Sequence, residues 1–462
     1  MGGEGWQEDS CPPAAERPIL RGLSQFFCRR EGFVRPNTDA NISPVPGGSA
    51  EAATGYGIAR RVLGNGVVVL ARQILDPDIV ALSVGARAGS RFEQEETAGA
   101  AKFMEKLFLQ GTERRPSADQ VQRPIAVRGG SLWSQAGSEL VIFQAQVRTV
   151  DVDVMLDLVA DVLLCSTFAQ DRVENEARVI LEELSARRAN PGVLAGDLFL
   201  PAVFEGHPLA RSPAGDLDNT TRLTRQTLVD YRDRFFVGRN CVVAAAGNLP
   251  APDALDMVEQ ALTHMPAGQA APASSVPPPA PRDQRIDQTA GTSQARIVIG
   301  GPLPGLGSED RFPLSVANAV LGPSGFRLFR EVRDRRGLSY DPAPGQMLYP
   351  DAGVWMAAAG TDPSTTEVVI DLLRSEMRRL REEPISEQEL ADAKSFLEGS
   401  LVVGLETPLA QSGQMIRDEA LGSPVLSEEH RQGIRRVSVD DVSRVAQTHI
   451  DPDRATLVVV RP

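Results

Sequence analysis

Arginine supplies nearly all of the 48 basic residues; lysine occurs only three times, as Lys102, Lys106 and Lys394. Two of these stand four apart in Gly99-Ala100-Ala101-Lys102-Phe103-Met104-Glu105-Lys106-Leu107, with Glu105 between them. Helical spacing places all three charges near one face. A lysine ammonium has three donors and no lone pair, so it cannot ligate a metal unless it is deprotonated. Further on, Glu176 and Glu183 lie on a second helical stretch, where with Glu182 they read, taken alone, as a solvated face. Arg333 and Tyr340, taken alone, read as a basic helix end favoured by the dipole and the start of a strand. Ion pairing, and donation of hydrogen bonds to a carbonyl or carboxylate oxygen, is the chemistry open to such a set.

These residues must be held by a chain of 462 residues and 49.6 kDa, enough for about two to three domains. The formal charge is −13 and the pI about 5.0, and no basic run is present, which excludes a phosphate-tracking nucleic-acid binder. No apolar stretch reaches the length of a spanning helix, since Asp157 and Asp161 interrupt the best one. The four cysteines show no CxxC spacing, so a cysteine-held metal is not expected. The start of the chain has neither a basic apolar leader nor the acid-poor composition of a transit peptide, and the expected location is cytoplasmic.

Residues 1–55 are rich in Pro, Gly and Ala and read as a mostly disordered arm, and 266–282 has the Pro/Ala-rich composition of a linker. The remainder falls into two parts, 56–265 and 283–462. These look like diverged copies, because Val154-Met-Leu-Asp-Leu158 matches Val368-Val-Ile-Asp-Leu372 at the same offset that aligns Leu223, Leu228 and Phe235 with Val437, Val442 and His449. In the first part Asn65-Gly66 signals a hairpin, strands are expected at 79–86 and 240–246, and helices at 97–109, 152–164, 171–188 and 224–236. The second part repeats the order and ends in a strand over 455–460. The expected fold is α+β, two homologous α/β halves, each a mixed β-sheet covered by helices.

The segment from Gly99 to Thr112 resembles the insulinase/pitrilysin-type metallopeptidases, including the mitochondrial processing peptidase, whose helix reads approximately G-x-A-H-F-L-E-H-x-x-x-x-G-T. The resemblance covers nearly all of 56–462 and implies that family's clamshell-half architecture, with an N-terminal peptidase-like domain and a C-terminal one. It also implies that positions 102 and 106 are those of two zinc-binding histidines and Glu105 that of the general base. Glu183, 77 residues after Lys106, stands at the third ligand, and Glu176 at the family's other glutamate. Leu321 to Tyr340 is similar to the family's L-G-x-x-x-x-S-R-L-F-x-x-v-R-x-x-x-G-L-x-Y, which makes Arg333 and Tyr340 the pair that closes over a substrate carbonyl. His207, in His207-Pro208-Leu209-Ala-Arg-Ser-Pro-Ala-Gly, matches a family segment in which it is structural.

The departures concentrate at the metal. Both histidines are replaced by lysine, Trp133 and Ser134 stand where the family shows Asn and Ala, and none of the four histidines, His207, His264, His430 and His449, can stand in for the pair. Two lysines in so lysine-poor a chain suggest that their ammonium groups replace the missing metal charge beside Glu105 and Glu183; the other reading is an open pocket with both extending into water. The resemblance therefore implies a pseudo-peptidase with the degenerate motif KxxEK and no metal or cofactor of its own, inactive as an isolated chain. It would be the non-catalytic subunit of a peptidase heterodimer, lending Arg333 and Tyr340 in trans to an HxxEH-bearing homologue that holds the zinc and cleaves peptides. The alternative is a scaffold subunit of a larger complex with no proteolytic role.

Overall fold

The computed structural model describes residues 57–272, 275–322, 324–422 and 425–462, so the expected arm over 1–55 lies outside the described residues. Eleven strands form two sheets among these residues. The first takes β1 (Ala59–Val62), β2 (Val68–Gln73), β3 (Ile79–Ala86), β4 (Ser131–Ala136), β5 (Val141–Arg148) and β6 (Cys241–Gly247) in the order β1-β2-β6-β3-β5-β4. The second takes β7 (Gln284–Thr289), β8 (Ala295–Pro304), β9 (Ala343–Leu348), β10 (Ala352–Thr361) and β11 (Thr456–Arg461) in the order β7-β11-β8-β10-β9. Each sheet has one parallel pair, β2 with β6 and β7 with β11, and is otherwise antiparallel.

Helices of the first half are α1 (Ala100–Leu107), α2 (Ala118–Ala126), α3 (Val152–Cys165), α4 (Gln170–Ala189), α5 (Pro191–Val203), α6 (Leu217–Arg222), α7 (Arg225–Phe235) and α8 (Ala251–Leu262). Those of the second are α9 (Arg311–Leu321), α10 (Thr366–Glu382), α11 (Glu387–Gly404), α12 (Pro408–Leu421), α13 (Glu428–Arg436) and α14 (Val439–His449). The duplication is visible in these bounds: α3 and α10 start 214 residues apart, and so do α7 and α14. The hairpin at Asn65-Gly66 forms, but not with the type I′ turn that the dipeptide predicts: Gly66 is at φ +92° while Asn65 is not at positive φ, Gly66 N donates to Leu63 O at 2.8 Å, and the Asn65 amide donates instead to the carbonyls of Leu262 and Met265 at 2.9 and 3.1 Å.

The central strands are buried through their length, as in β6 Cys-Val-Val-Ala-Ala-Ala-Gly, because helices cover both faces. One core joins Val69, Val84, Val243, Phe103 and Leu158; a second joins Ile297, Ile299, Val316, Leu373 and Val459. The halves also exchange a helix. Ala195, Phe199 and Val203 of α5 pack on Val298, Val354 and Val458 of the second sheet, and Met415 and Ile416 of α12 pack on Leu70, Val242 and Ala244 of the first. Gly85 permits this approach, since a Cβ there would stand 2.4 Å from Ile416 Cγ2. A boundary drawn in sequence between 265 and 283 is thus crossed twice by packing.

The described part of the 266–282 segment makes hydrogen bonds to both halves. Its carbonyls accept from Gly238 N (to Pro266, 2.7 Å), from the Arg87 guanidinium (to Ala271 and Pro272) and from His207 Nε2 (to Val276, 3.1 Å). Proline removes backbone donors from such a segment but leaves its acceptors, and side-chain donors meet them here. Val276 N donates to Asp351 at 3.0 Å, and Asp351 takes both arms of buried Arg91 at 2.8 and 3.0 Å, with Glu139 on the same guanidinium. That cluster bolts the two halves together. No helix among the described residues is long and apolar enough to cross a membrane.

Candidate functional site

Helix α1 buries Ala100, Ala101, Phe103, Met104 and Leu107, which leaves Lys102, Glu105 and Lys106 on its other face. Its first turn is held from outside. Gly99, at φ +92°, and Ala101 donate their backbone N–H groups to the carboxylate of Glu93 at 2.9 and 2.8 Å. Burial pushes that carboxyl up to about 7, against the two N–H donors that favour its charge. On the other side β4 grips Glu105 twice: Ser134 Oγ donates to its backbone oxygen, and Ala136 N donates to Oε2 at 2.8 Å. The serine that departs from the family pattern is therefore an anchor of this helix.

Helix α4 brings Glu183 against α1, and the four charges close into one cluster. Lys102 Nζ lies 2.7 Å from Glu105 Oε1 and 3.1 Å from Glu183 Oε2; Lys106 Nζ lies 2.6 Å from Glu183 Oε1 and 3.7 Å from Glu105 Oε1. Each carboxylate thus meets both ammonium groups. Burial opposes the charge on Lys106, but the hydrogen bond to Glu183 and the nearby Glu105 and Glu176 outweigh it and hold the ammonium above its ordinary value. Burial likewise opposes the charge on Glu183, and the two lysines outweigh it and hold the carboxyl below its usual range. Glu176, two turns earlier, is buried and makes no hydrogen bond among the described residues; burial raises its carboxyl, and the lysines act on it only through space.

Zinc, which the resemblance assigns to this place, does not fit these residues. The two carboxylates are engaged by ammonium groups that have no lone pair to give, at distances that leave no gap for an ion between them. No group of three or more His, Cys, Asp or Glu among the described residues could hold a metal. His207 is structural, as its motif suggested: Nδ1 accepts from Leu209 N at 3.1 Å, which caps the Pro208–Ala210 turn.

Arg333 and Tyr340 come together with each other and not with this cluster. Arg333 lies on the π-helical turn Phe329–Asp334, and its guanidinium sits 4.6 Å from the Phe329 ring centre and 4.3 Å from that of Tyr340. Stacking fixes the plane of the guanidinium while leaving its donors open. Tyr340 is 78% exposed. No hydrogen bond, ion pair or ring contact among the described residues joins the pair to α1 or α4.

A cavity of about 410 Å³ opens beside the charged face of α1, between β4 and α5, with Lys102, Glu105, Gln135, Arg187, Asp197 and Arg211 in its wall. Sequence reading missed Glu93 and Arg211. Glu93 acts on the first turn of α1 from a separate loop, and Arg211 lies in the segment after His207 that was read for its histidine alone.

Residues 68–216 match the family model described as Insulinase (Peptidase family M16), and 222–397 match the one described as Peptidase M16 inactive domain. An uncharacterized zinc protease of Mycobacterium leprae is 32% identical over 411 residues, 86% of this chain and 91% of the relative. One of Streptomyces coelicolor is 29% identical over 88% of this chain and 90% of its own length. Among solved structures, a peptidase M16 inactive domain from Pseudomonas fluorescens superposes with a TM-score of 0.81 at 21% identity, covering 88% of this chain and 98% of that one. A chain of complex III2 from Candida albicans has the same fold, with a TM-score of 0.72 at 20% identity over 87% of this chain and 95% of its own.

Proposed function

Because the chain belongs to the insulinase family of peptidases, M16, we propose that it is that family's non-catalytic, metal-free kind of subunit. It works beside a zinc-bearing HxxEH homologue and lends Arg333 and Tyr340 to the peptide that the partner cleaves. The observation that carries this reading is the cluster on α1 and α4, where two ammonium groups sit on the carboxylates that would serve a metal, at 2.6 to 3.1 Å. Nothing in such a cluster can activate a water: both carboxylates are neutralised, and no Lewis acid has a place. Arg333, by contrast, keeps a full fork of donors, oriented by two rings and making no side-chain hydrogen bond or ion pair among the described residues. A fork and a phenol hydroxyl suit one carbonyl oxygen whose charge grows during attack by water.

Reconstitution with an HxxEH-bearing homologue that copurifies from the native cell tests the proposal. Arg333→Ala, and separately Tyr340→Phe, should lower the kcat of the complex by a factor of ~10²–10³, the usual loss on removing one donor to a developing oxyanion. Assembly on a sizing column and the partner's zinc content should not change. Full turnover in both variants would return the chain to the scaffold reading.

A further inference from the structure

Helix α11 is covered for only part of its length. Leu390 and Ala393 are its buried residues, whereas Gly399, Ser400, Val402, Val403 and Gly404 stand exposed toward its end. The two valines are 73% and 72% exposed, and among the described large apolar side chains only Leu75 and Tyr340 are barer. A Cβ at Gly399 or at Gly404 would meet nothing within 4 Å, so the space around this last turn is open. The described chain begins close by. Ile58 is buried in a cluster with Met415, Ile416 and Leu426, and Leu405, which follows α11 directly, packs on the same cluster. Residues 1–56 therefore join the body one side-chain cluster away from the bare end of α11.

Within 1–56 one stretch departs from the Pro, Gly and Ala composition of the rest. Ile19, Leu20, Leu23, Phe26 and Phe27 recur at i, i+1, i+4, i+7 and i+8, the spacing that collects apolar side chains on one helical face. The same stretch is basic, since Arg17, Arg21, Arg29 and Arg30 give residues 17–30 a charge of +4 with no acid among them. Around α11 the sign is opposite. Over 387–406 the five carboxylates of Glu387, Glu389, Asp392, Glu398 and Glu406 stand against Lys394 alone, a charge of −4. Glu389 and Glu398 are taken by Arg327 and Arg435, which leaves Glu387, Asp392 and Glu406 without an ion pair among the described residues. Reach is no obstacle: the 31 residues from Phe27 to Ile58 span about 30 Å as a flexible chain and hold the segment near the body at about millimolar effective concentration. We propose that the bare end of α11 is the docking site for residues 17–30 of the same chain, whose apolar side chains cover Val402 and Val403 while its arginines face the carboxylates of 387–406. A partner that uses this surface must first displace the arm.

Amide hydrogen exchange of the full-length chain, read by mass spectrometry, tests the docking, with residues 37–55 of the same arm as the internal reference. Corrected for intrinsic rates, amides of 19–29 should exchange about tenfold more slowly than those of 37–55. Val402→Asp with Val403→Asp should bring the two stretches to one rate. Both valines are exposed, so the fold is kept, as unchanged exchange in β6 and α9 would verify; the added charges would attract the arginines, so the loss isolates the apolar contact. Phe26→Ser with Phe27→Ser should have the same effect and should also speed exchange over 401–405, the reciprocal half of the contact. Rates for 19–29 equal to those for 37–55 in the unaltered chain overturn the proposal, and so does protection that survives the paired aspartates. Protection that grows with protein concentration would overturn it by making the occupant a second copy, and protection that appears only with phosphatidylglycerol vesicles by making the segment a lipid-surface one. No partner subunit takes part, so these outcomes are separate from the fate of the heterodimer reading.

Discussion

In the first half, Lys102 and Glu105 of the cluster stand in the wall of a cavity and Glu183 is 38% exposed; in the second, Arg327 closes on Glu389 with its side chain only 4% exposed. The second pair is bidentate, at 2.6 and 3.0 Å, and the same carboxylate accepts from Ser386 N to cap α11. The Arg327 hydrogen bond holds Glu389 down at about 2. Helix α9, which covers the second sheet, is apolar almost throughout, with Phe312, Leu314, Val316, Ala317, Val320 and Leu321 buried. One duplicated architecture has thus put its charges to two uses. In the second half they fasten one helix to another. In the first they remain within reach of whatever enters the cavity.

Converting the cluster back to ligands would sharpen that contrast most. Lys102→His with Lys106→His restores two imidazoles four apart, opposite a Glu183 already brought to within hydrogen-bond distance of position 106. The double variant should bind about one zinc per chain by elemental analysis, reversibly to a chelator, and melt at a higher temperature with zinc than without. No uptake would mean that α1 presents its face at an angle unsuited to ligation. In the second half, Glu389→Ala leaves the Arg327 guanidinium buried without a counter-charge and removes the α11 cap. The chain should lose ~2–4 kcal/mol in urea denaturation, less than for a fully buried pair because Glu389 is 28% exposed. A loss below that of a surface pair would break the contrast, because the closed pair would then be no more structural than the open one.

Much of this was legible in the sequence. Regular spacing gave away α3, α4 and α7 within a residue or two, and β3 at its observed bounds, because apolar periodicity and burial are the same fact seen twice. The 77-residue interval between Lys106 and Glu183 brought together two residues that now hydrogen bond. Three features were not legible. The exchange of α5 and α12 depends on Phe199 and Ile416 finding sheets in the other half, and an apolar helix face does not say which sheet it will cover. The Pro/Ala-rich segment over 266–282 looked loose because its composition lacks donors, while its acceptors are met by Arg87 and His207 from far along the chain. Glu176 shared the family spacing with Glu183, yet burial rather than pairing governs it.

The smallest of the expected effects decides whether the first-half charges are bonded or merely near. Lys106→Met keeps the length of the side chain and removes its charge. Glu183 would retain Lys102 at 3.1 Å, so it is weakened and not stranded, whereas Glu176 loses the cation that most offsets its burial. The expected loss is ~1–2 kcal/mol near neutral pH, above the usual range for exposed ion pairs and below that for sealed ones. Its pH dependence has a definite sign. The folded-state value of Glu183 is depressed, so its contribution is complete above its ordinary 4.5 and fades as pH falls through the lower, folded value. The value for Lys106 is raised, so its contribution is complete below 10.5 and fades only as pH rises past the higher, folded value. Glu176, already raised by burial and raised further without Lys106, takes up its proton above 4.5, so the difference between the variant and the parent chain should be flat only from above that raised value to 10.5 and should narrow outside these limits, as read from urea midpoints along a pH series. Equal stability of the two chains at pH 7 would place the Lys106 ammonium in water and reduce the cluster to an open pocket.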